Sequence, residues 1–382
     1  MSEPIRILNL FTIMNRGGAE TMVMNYYRKI DRTKVQFDFM VHRQERGAYD
    51  DEIEAMGGRI FRMCPIFPQN FGKYKKMLKA FFDEHPEYKI LHSHMSELGC
   101  YAFTEAEKHG IKVKICHAHN APVKESMNLK EKGQLVFRDY FKKKMLPYTD
   151  HLFICGEEAG NWLYGEENKN RFVMMNNAVD AQQFRFSPAV RDEMRRDMGL
   201  EGKFILLNVG RFNPQKNHTF ILDIFKEIKA IHGNSVLLLA GNGNLENEIK
   251  EKCHTLGLDD SVRFLGLRSD IDRLLQCADI FLFPSLYEGL PVTMVEAQSS
   301  GIKCFISDVI PQQCVLTDDV TALSLKESAE YWAKQIVPLS GGYDRKDRYE
   351  DMLRANFDIT ANAEWLCDFY ISEYKKAYGE II

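Results

Sequence analysis

The sequence predicts an α/β protein with two doubly wound parallel sheets in tandem. Three observations predict it. Short apolar runs rich in Ile, Val, Leu and Phe alternate with segments of helical period, the signature of βαβ units. The alternation pauses once, in a polar stretch at 178–200, and then restarts. The chain has 382 residues, 45% hydrophobic and 27% charged, enough to bury two globular cores.

In chain order, the first half places strands at 5–11 (IRILNLF), 35–42, 59–64, 89–94, 112–118, 151–155 and 171–177. Helical patterns such as AETMVMNYYRKI and FGKYKKMLKAFFDEH lie between them. Residues 178–200 show no strand pattern, so the boundary falls there, giving a first domain over 1–182 and a second over 183–358. The second half places strands at 204–210, 235–241, 261–266, 279–285 and 303–308, each followed by a helical segment or a glycine loop. The final segment, 359–382, reads as a helix with Trp365, Phe369 and Tyr374 available for packing. Lys375 and Lys376 stand near its end, where cations suit the helix dipole. It follows no strand, so it need not belong to the second sheet.

Composition narrows the function. A net charge of −4 provides no global basic field, and nucleic acid is not an expected partner. The nine cysteines are odd in number and form no C-x-x-C pair. Buried free thiols in a reducing cytosol are expected rather than a zinc cluster. The N-terminus has no charged region before a long apolar run, and no apolar run approaches the roughly 18–20 residues of a membrane span. A cytoplasmic protein is expected, one that can still meet a membrane surface.

Open α/β sheets bind ligands at the carboxyl ends of their strands, so the loops there carry the functional reading. After FILLNVG come Arg211 and, at a helix start, Lys216. Free N–H groups at a helix N-terminus and two cations suit phosphate; an exposed Arg and Lys on a loop is the plain alternative. After SVLLLAG come Asn242 and Gly243, which open like a dinucleotide fingerprint. Glu246 stands where the third glycine belongs, and no acid closes the next strand, so a dehydrogenase does not fit. A glycine turn over a ligand does. After DIFLFPS comes SLYEGLPVTMVEAQSSG. Pro291 suits a first helical turn, which places Glu288 in the loop and Glu296 inside the helix. The N–H groups of Gly289 and Leu290 would meet an anion between the two carboxylates; a solvated loop acid and a solvated helix acid are the alternative.

Taken together, G-R-x4-K, G-x-G, F-L-G and P-S-x-x-E-G-L-P-x-x-x-x-E-A occur in one order over roughly 200–310. The combination resembles the retaining glycosyltransferases of family 4, with support from NRGGAE at 15–20 and HAHN at 117–120. NRGGAETMVMNYYR and HSHMSELG are most similar to the capsular and exopolysaccharide branch. The resemblance implies GT-B architecture: two Rossmann-like domains facing across a cleft, with the C-terminal helix crossing back to the first domain. It implies a nucleotide-sugar donor, a UDP-sugar in particular, a hexose-type sugar, a lipid-linked or glycan acceptor, and retention of anomeric configuration. Arg211 and Lys216 would hold the diphosphate, Glu296 the ribose and Glu288 the donor sugar. Gly289, Leu290 and Pro291 would bring backbone N–H groups to the sugar and diphosphate. Leu267 and Arg268 would lie beside the base, Gly17 and Gly18 would let the first domain approach the diphosphate, and His119 would sit near the reacting sugar. No cofactor and no metal is implied, because cationic side chains meet the charge of the leaving group. No D-x-D motif is read on a strand end. A non-catalytic sugar-nucleotide-binding protein and a sugar-nucleotide epimerase are the alternatives on the same fold.

Two features stand beside that reading. H-S-H at 92–94 and H-A-H at 117–119 each put two imidazoles on one strand face; core or cleft histidines are expected, a metal site being the alternative. Residues 124–144 carry seven Lys or Arg against three acids, with Phe137, Tyr140 and Phe141 interleaved. They form either a solvated helix face or a surface that meets an anionic membrane and its lipid-linked acceptor, with the protein peripheral at the inner face.

Overall fold

The computed structural model of the chain describes residues 3–119 and 129–379, and of 129–136 it describes the backbone. The chain divides into two compact units, Met1–Asn177 with Ile359–Ile382, and Ala178–Asp358.

The first unit is a seven-stranded parallel sheet: β1 Ile5–Phe11, β2 Val35–Val41, β3 Ile60–Arg62, β4 Ile90–Ser93, β5 Val113–Ala118, β6 His151–Ile154 and β7 Phe172–Met174. Its order is β3-β2-β1-β4-β5-β6-β7. Three of these strands, β2, β4 and β5, are buried along their whole length, which is why they read as continuous apolar runs rather than as alternating ones. Asp38, in β2, is a buried exception that is fully occupied. It accepts from Arg6 Nε (2.5 Å), Arg6 Nη2 (2.6 Å), Tyr88 Oη (2.6 Å) and Arg59 N (2.7 Å).

The second unit has six parallel strands: β8 Phe204–Val209, β9 Ser235–Ala240, β10 Val262–Gly266, β11 Ile280–Phe283, β12 Lys303–Ser307 and β13 Val320–Leu323. Their order is β10-β9-β8-β11-β12-β13. β13 has no counterpart among the expected strands, because it is only four residues long and its two central residues, Thr321 and Ala322, are exposed.

The first unit ends at Asn177 rather than at 182. Val179, Ala181 and Phe184 are buried in the core of the second unit, and Val179 N donates to Phe357 O (3.0 Å). The polar stretch that marked the boundary is itself structured. Pro188–Asp197 is a helix capped by Ser187, and its Arg191 and Arg195 converge on Asp279 (2.5 and 2.8 Å). These arginines made the segment look like a linker, yet they hold it to the sheet.

The C-terminal helix, Ile359–Tyr378, packs on the first unit's sheet. Tyr370 lies edge-on to Phe37, and Phe153 meets Phe369 at 5.1 Å. Its last turn is fixed where Lys112 N donates to Tyr378 Oη (2.6 Å). Eight of the nine cysteines are buried and all nine are free. No helix among the described residues is long and apolar enough to cross a membrane.

Candidate active site

In the second unit the strand order reverses between β8 and β11, and open α/β sheets bind ligands at such a switch point. Both loops that carried the sequence reading leave the sheet there. Lys216 Nζ donates to Glu288 Oε1 (2.6 Å) and lies 4.5 Å from the centre of the Phe283 ring. Gln215 Nε2 donates to Glu288 Oε2 (3.2 Å) and to Tyr287 O (3.0 Å), and Leu286 N donates to Gln215 O (2.8 Å). The family resemblance gives Lys216 and Glu288 separate partners on a ligand, the diphosphate and the sugar. The structure joins them in an ion pair whose side chains are 14% and 6% exposed. Arg211, by contrast, is exposed, with no ion pair among the described residues.

Local geometry explains the convergence. Asn213 caps the turn at Pro214–Lys216 by accepting from Lys216 N (3.2 Å). Asn217 adopts the left-handed conformation (φ 54°), which Asn tolerates better than most side chains, and donates to Pro284 O (3.1 Å). Gln215 and Asn217 were missed in the sequence. Their signal was weak, because a polar residue beside a Lys at a turn has many readings.

After β11, the helix Val292–Ser299 begins one position later than expected, with Pro291 at its N-cap (ψ 115°). Glu288 is therefore a loop residue and Glu296 a helix residue, as the proline implied. The Glu296 side chain accepts no hydrogen bond among the described residues. Burial, with a smaller push from Asp272, raises its pKa to about 7. Thr293 Oγ1, in the first turn, is also buried without a partner among them. A carboxyl and a hydroxyl left open on one short helix suit a polyhydroxylated ligand.

The glycines differ in what they do. At Gly243 an added Cβ would meet Phe212 O at 2.3 Å and Phe212 N at 2.7 Å, so this residue lets the β8 and β9 loops touch. Those loops are cross-bonded through Phe212 N to Asn242 O (2.9 Å) and Leu245 N to Phe212 O (3.1 Å). A Cβ on Gly289 would meet nothing within 4 Å, so the protein itself does not require glycine there. Leu267 is 74% exposed after β10. Arg268 is held by Asp270 through Nε (2.8 Å) and Nη2 (2.6 Å). Asp270-Ile271-Asp272 does have D-x-D spacing, which the sequence reading passed over. It stands at the start of the helix Ile271–Cys277, with Asp270 committed to Arg268.

In the first unit, Gly17 caps the helix Gly18–Lys29, and Glu20 folds over it, its oxygen 2.3 Å from where a Cβ on Gly17 would stand. A Cβ on Gly18 would meet open space. His119 follows β5; its Nε2 meets His94 Nδ1 at 2.9 Å, and burial lowers its pKa to about 4. His92, His94 and His117 are more fully buried and are held well below the usual imidazole range by that burial.

Of the basic segment, 124–128 lies outside the described residues, and 129–145 is a helix, Leu129–Met145. Phe141 and Met145 face the core, while Phe137 and Tyr140 are 48% and 59% exposed. Several of its cations turn onto the protein's own groups. Arg138 pairs with Glu97 (2.5 Å), and Lys142 lies 3.8 Å from the centre of the Trp162 ring.

A family model described as glycosyl transferases group 1 matches residues 190–349. EpsF of Bacillus subtilis strain 168, named as a glycosyltransferase, is 36% identical over 371 residues, covering 96% of this chain and 96% of its own. An Escherichia coli enzyme, UDP-Gal:alpha-D-GlcNAc-diphosphoundecaprenol alpha-1,3-galactosyltransferase, is 27% identical over 299 residues, 74% of this chain and 75% of its own. Among solved structures, Anabaena HepE in complex with UDP and glucose matches with a TM-score of 0.72 at 16% identity, over 96% of this chain and 100% of that one. Two Rossmann-like sheets of this order, matched along their length by such structures, define the GT-B fold. The relationship to EpsF spans nearly the whole of both chains. The chain belongs to the group 1 glycosyl transferases.

Proposed function

We propose that this glycosyltransferase moves a hexose-type sugar from a nucleoside diphosphate donor, a UDP-sugar, to a lipid-linked or oligosaccharide acceptor, with retention, in bacterial polysaccharide assembly. The observation that carries the reading is the switch-point cluster: Lys216 and Glu288 paired, Arg211 without an ion pair among the described residues, and the Glu296 carboxyl open. The E. coli relative's name, with its UDP-sugar and diphosphoundecaprenol, supports the donor and acceptor classes. HepE, solved in complex with UDP and glucose, supports the donor class.

In this reading Arg211, Lys216 and the N–H groups of Gly289 and Leu290 meet the diphosphate, and Glu296 accepts from the ribose hydroxyls. Leu267 and Arg268 stand beside the base. The bond from the anomeric carbon to the diphosphate oxygen breaks, and its electron pair goes to the leaving group. The acceptor oxygen bonds the same face of that carbon, and its proton passes to a leaving phosphate oxygen. Preorganised positive charge at the leaving group is the main catalytic term. No cofactor enters. Both oxygens of Glu288 are already engaged by Lys216 and Gln215, which supports a positioning role over a covalent nucleophile. A glycosyl adduct trapped on Glu288 would overturn that assignment.

A panel of nucleotide sugars tests the donor class, because a bound ligand raises apparent stability. A UDP-sugar should raise Tm and be consumed only with acceptor; isomerised donor formed without acceptor would instead identify an epimerase. Glu296 gives the panel a pH signature. Its folded pKa of about 7 lies above the ordinary 4.5, so the half-buried charge costs the empty protein stability progressively as pH rises from about 4.5 to 7, and fully above 7. Ribose hydroxyls favour the ionised form, so donor affinity should rise about tenfold between roughly pH 6 and pH 8. In Glu296→Gln affinity should be weaker and flat with pH. An unchanged slope in that variant would remove Glu296 from the ribose.

The same reading gives the helix Leu129–Met145, on which Phe137 and Tyr140 are exposed, the membrane-facing role. Vesicles containing anionic lipid should bind the protein more tightly than neutral ones. Replacing Lys142, Lys143 and Lys144 with glutamine should weaken that binding. Equal binding to both vesicle types would refute it.

A further inference from the structure

We propose that His92, His94 and His117 hold a divalent transition metal of the zinc class inside the first unit. Parallel pairing places Ser93 beside Cys116, and the next step along both chains brings His94 beside His117. Alternate residues of a strand share a face, so His92, His94, His117 and His119 all lie on one face of β4 and β5. One ligand nitrogen from each of His92, His94 and His117 lies within 4.8 Å of the others. Zinc–imidazole bonds of about 2.0–2.1 Å set nitrogens roughly 3.4 Å apart in a tetrahedral site. The rings now stack, His92 on His94 at 4.3 Å and His92 on His117 at 5.6 Å, so closing the site requires the imidazoles to rotate until their in-plane lone pairs converge.

Among the described residues the hydrogen bonds leave two of the three required lone pairs free, those of His92 and His117. His92 Nδ1 meets Tyr370 Oη at 2.7 Å, while His92 Nε2 is buried without a partner among the described residues. Both nitrogens of His117 are likewise buried and unpartnered among them. Asn9 Nδ2 donates to Ile7 O and Asp38 O, which fixes Asn9 Oδ1 as the acceptor facing His94 Nε2 (3.4 Å). His94 Nε2 therefore carries the proton, and Nδ1 has a lone pair, which at present accepts from His119 (2.9 Å). Metal-bound histidines characteristically donate their second nitrogen to an oxygen, and Tyr370 and Asn9 supply those oxygens. A buried histidine with neither nitrogen bonded is uncommon, and a metal gives His117 a partner. Binding at His94 Nδ1 releases His119 from that nitrogen. The metal would tie β4 to β5 beneath the C-terminal helix, through Tyr370.

The full chain, prepared without a histidine tag, should contain about one equivalent of bound metal. After stripping with a chelator it should take up one Co2+, with the visible ligand-field bands of a nitrogen-ligated ion. Proton NMR of the Co2+ form should show shifted signals from three imidazoles, a count made on the unaltered protein. The variant His92→Gln with His117→Gln should lose the bands, whereas His254→Gln, at an exposed position, should keep them. No Co2+ uptake by the stripped chain, fewer than three shifted imidazoles, or full uptake by the double variant would overturn the site. If the double variant does not fold, the imidazole count decides.

Discussion

Lys216→Ala is expected to lower kcat/KM by about 10²–10³-fold, the loss typical of removing one preorganised charge from a transition state. The Lys216 ammonium is mostly buried and bonded to Glu288, so two effects combine. The diphosphate loses a cation, and a buried carboxylate loses its counter-ion, which is strongly destabilising in itself. The double variant Lys216→Met with Glu288→Gln separates them. Neutralising both partners should recover the melting temperature while turnover stays lost. If activity returns with stability, Lys216 is a structural partner of Glu288. If Lys216→Ala turns over normally, the diphosphate lies elsewhere. Donor binding that persists with no turnover in the unaltered chain would point to the non-catalytic sugar-nucleotide binder.

Gly243→Ala is expected to damage the second unit and its donor site together. The added methyl would stand 2.3 Å from the oxygen of Phe212, a backbone atom that cannot swing aside as a side chain does. Relief requires the β8 and β9 loops to part, which strains the two hydrogen bonds that join them. Overpacking of this kind costs about 1–3 kcal/mol, and each kcal/mol lowers Tm by about 2–4 °C in a domain of this size. Arg211, the residue before Phe212, moves with the loop, so donor affinity should fall too. Gly289→Ala is the contrasting case. Its methyl meets only open space, so Tm should hold while donor affinity drops, if a donor uses that space. A Gly243→Ala protein with unchanged Tm and affinity would show that the loops can separate freely.

Much of the fold was legible before any coordinates. Buried parallel strands must be apolar on both faces, and their runs stand out wherever they are long. β13 escaped because it is short and half-exposed. The end of the first unit shifted to Asn177 because Val179, Ala181 and Phe184 sit in a stretch whose polar residues dominate its composition. The donor-site candidates were legible as residue types at strand ends, since the loop after a parallel strand is where this topology exposes ligand groups.

The sequence by itself determined the two parallel sheets, the strand-end loops and the split that Pro291 imposes between Glu288 and Glu296. These are local matters: apolar runs, turn residues and a ring that fixes φ. Only the tertiary structure decided that Lys216 is paired with Glu288, that Gly243 serves loop contact, that Glu296 is left open, and that two H-x-H strands form one buried histidine cluster. Each depends on which strands lie side by side, and strand order is set by packing across the whole sheet, a property no short stretch of chain carries.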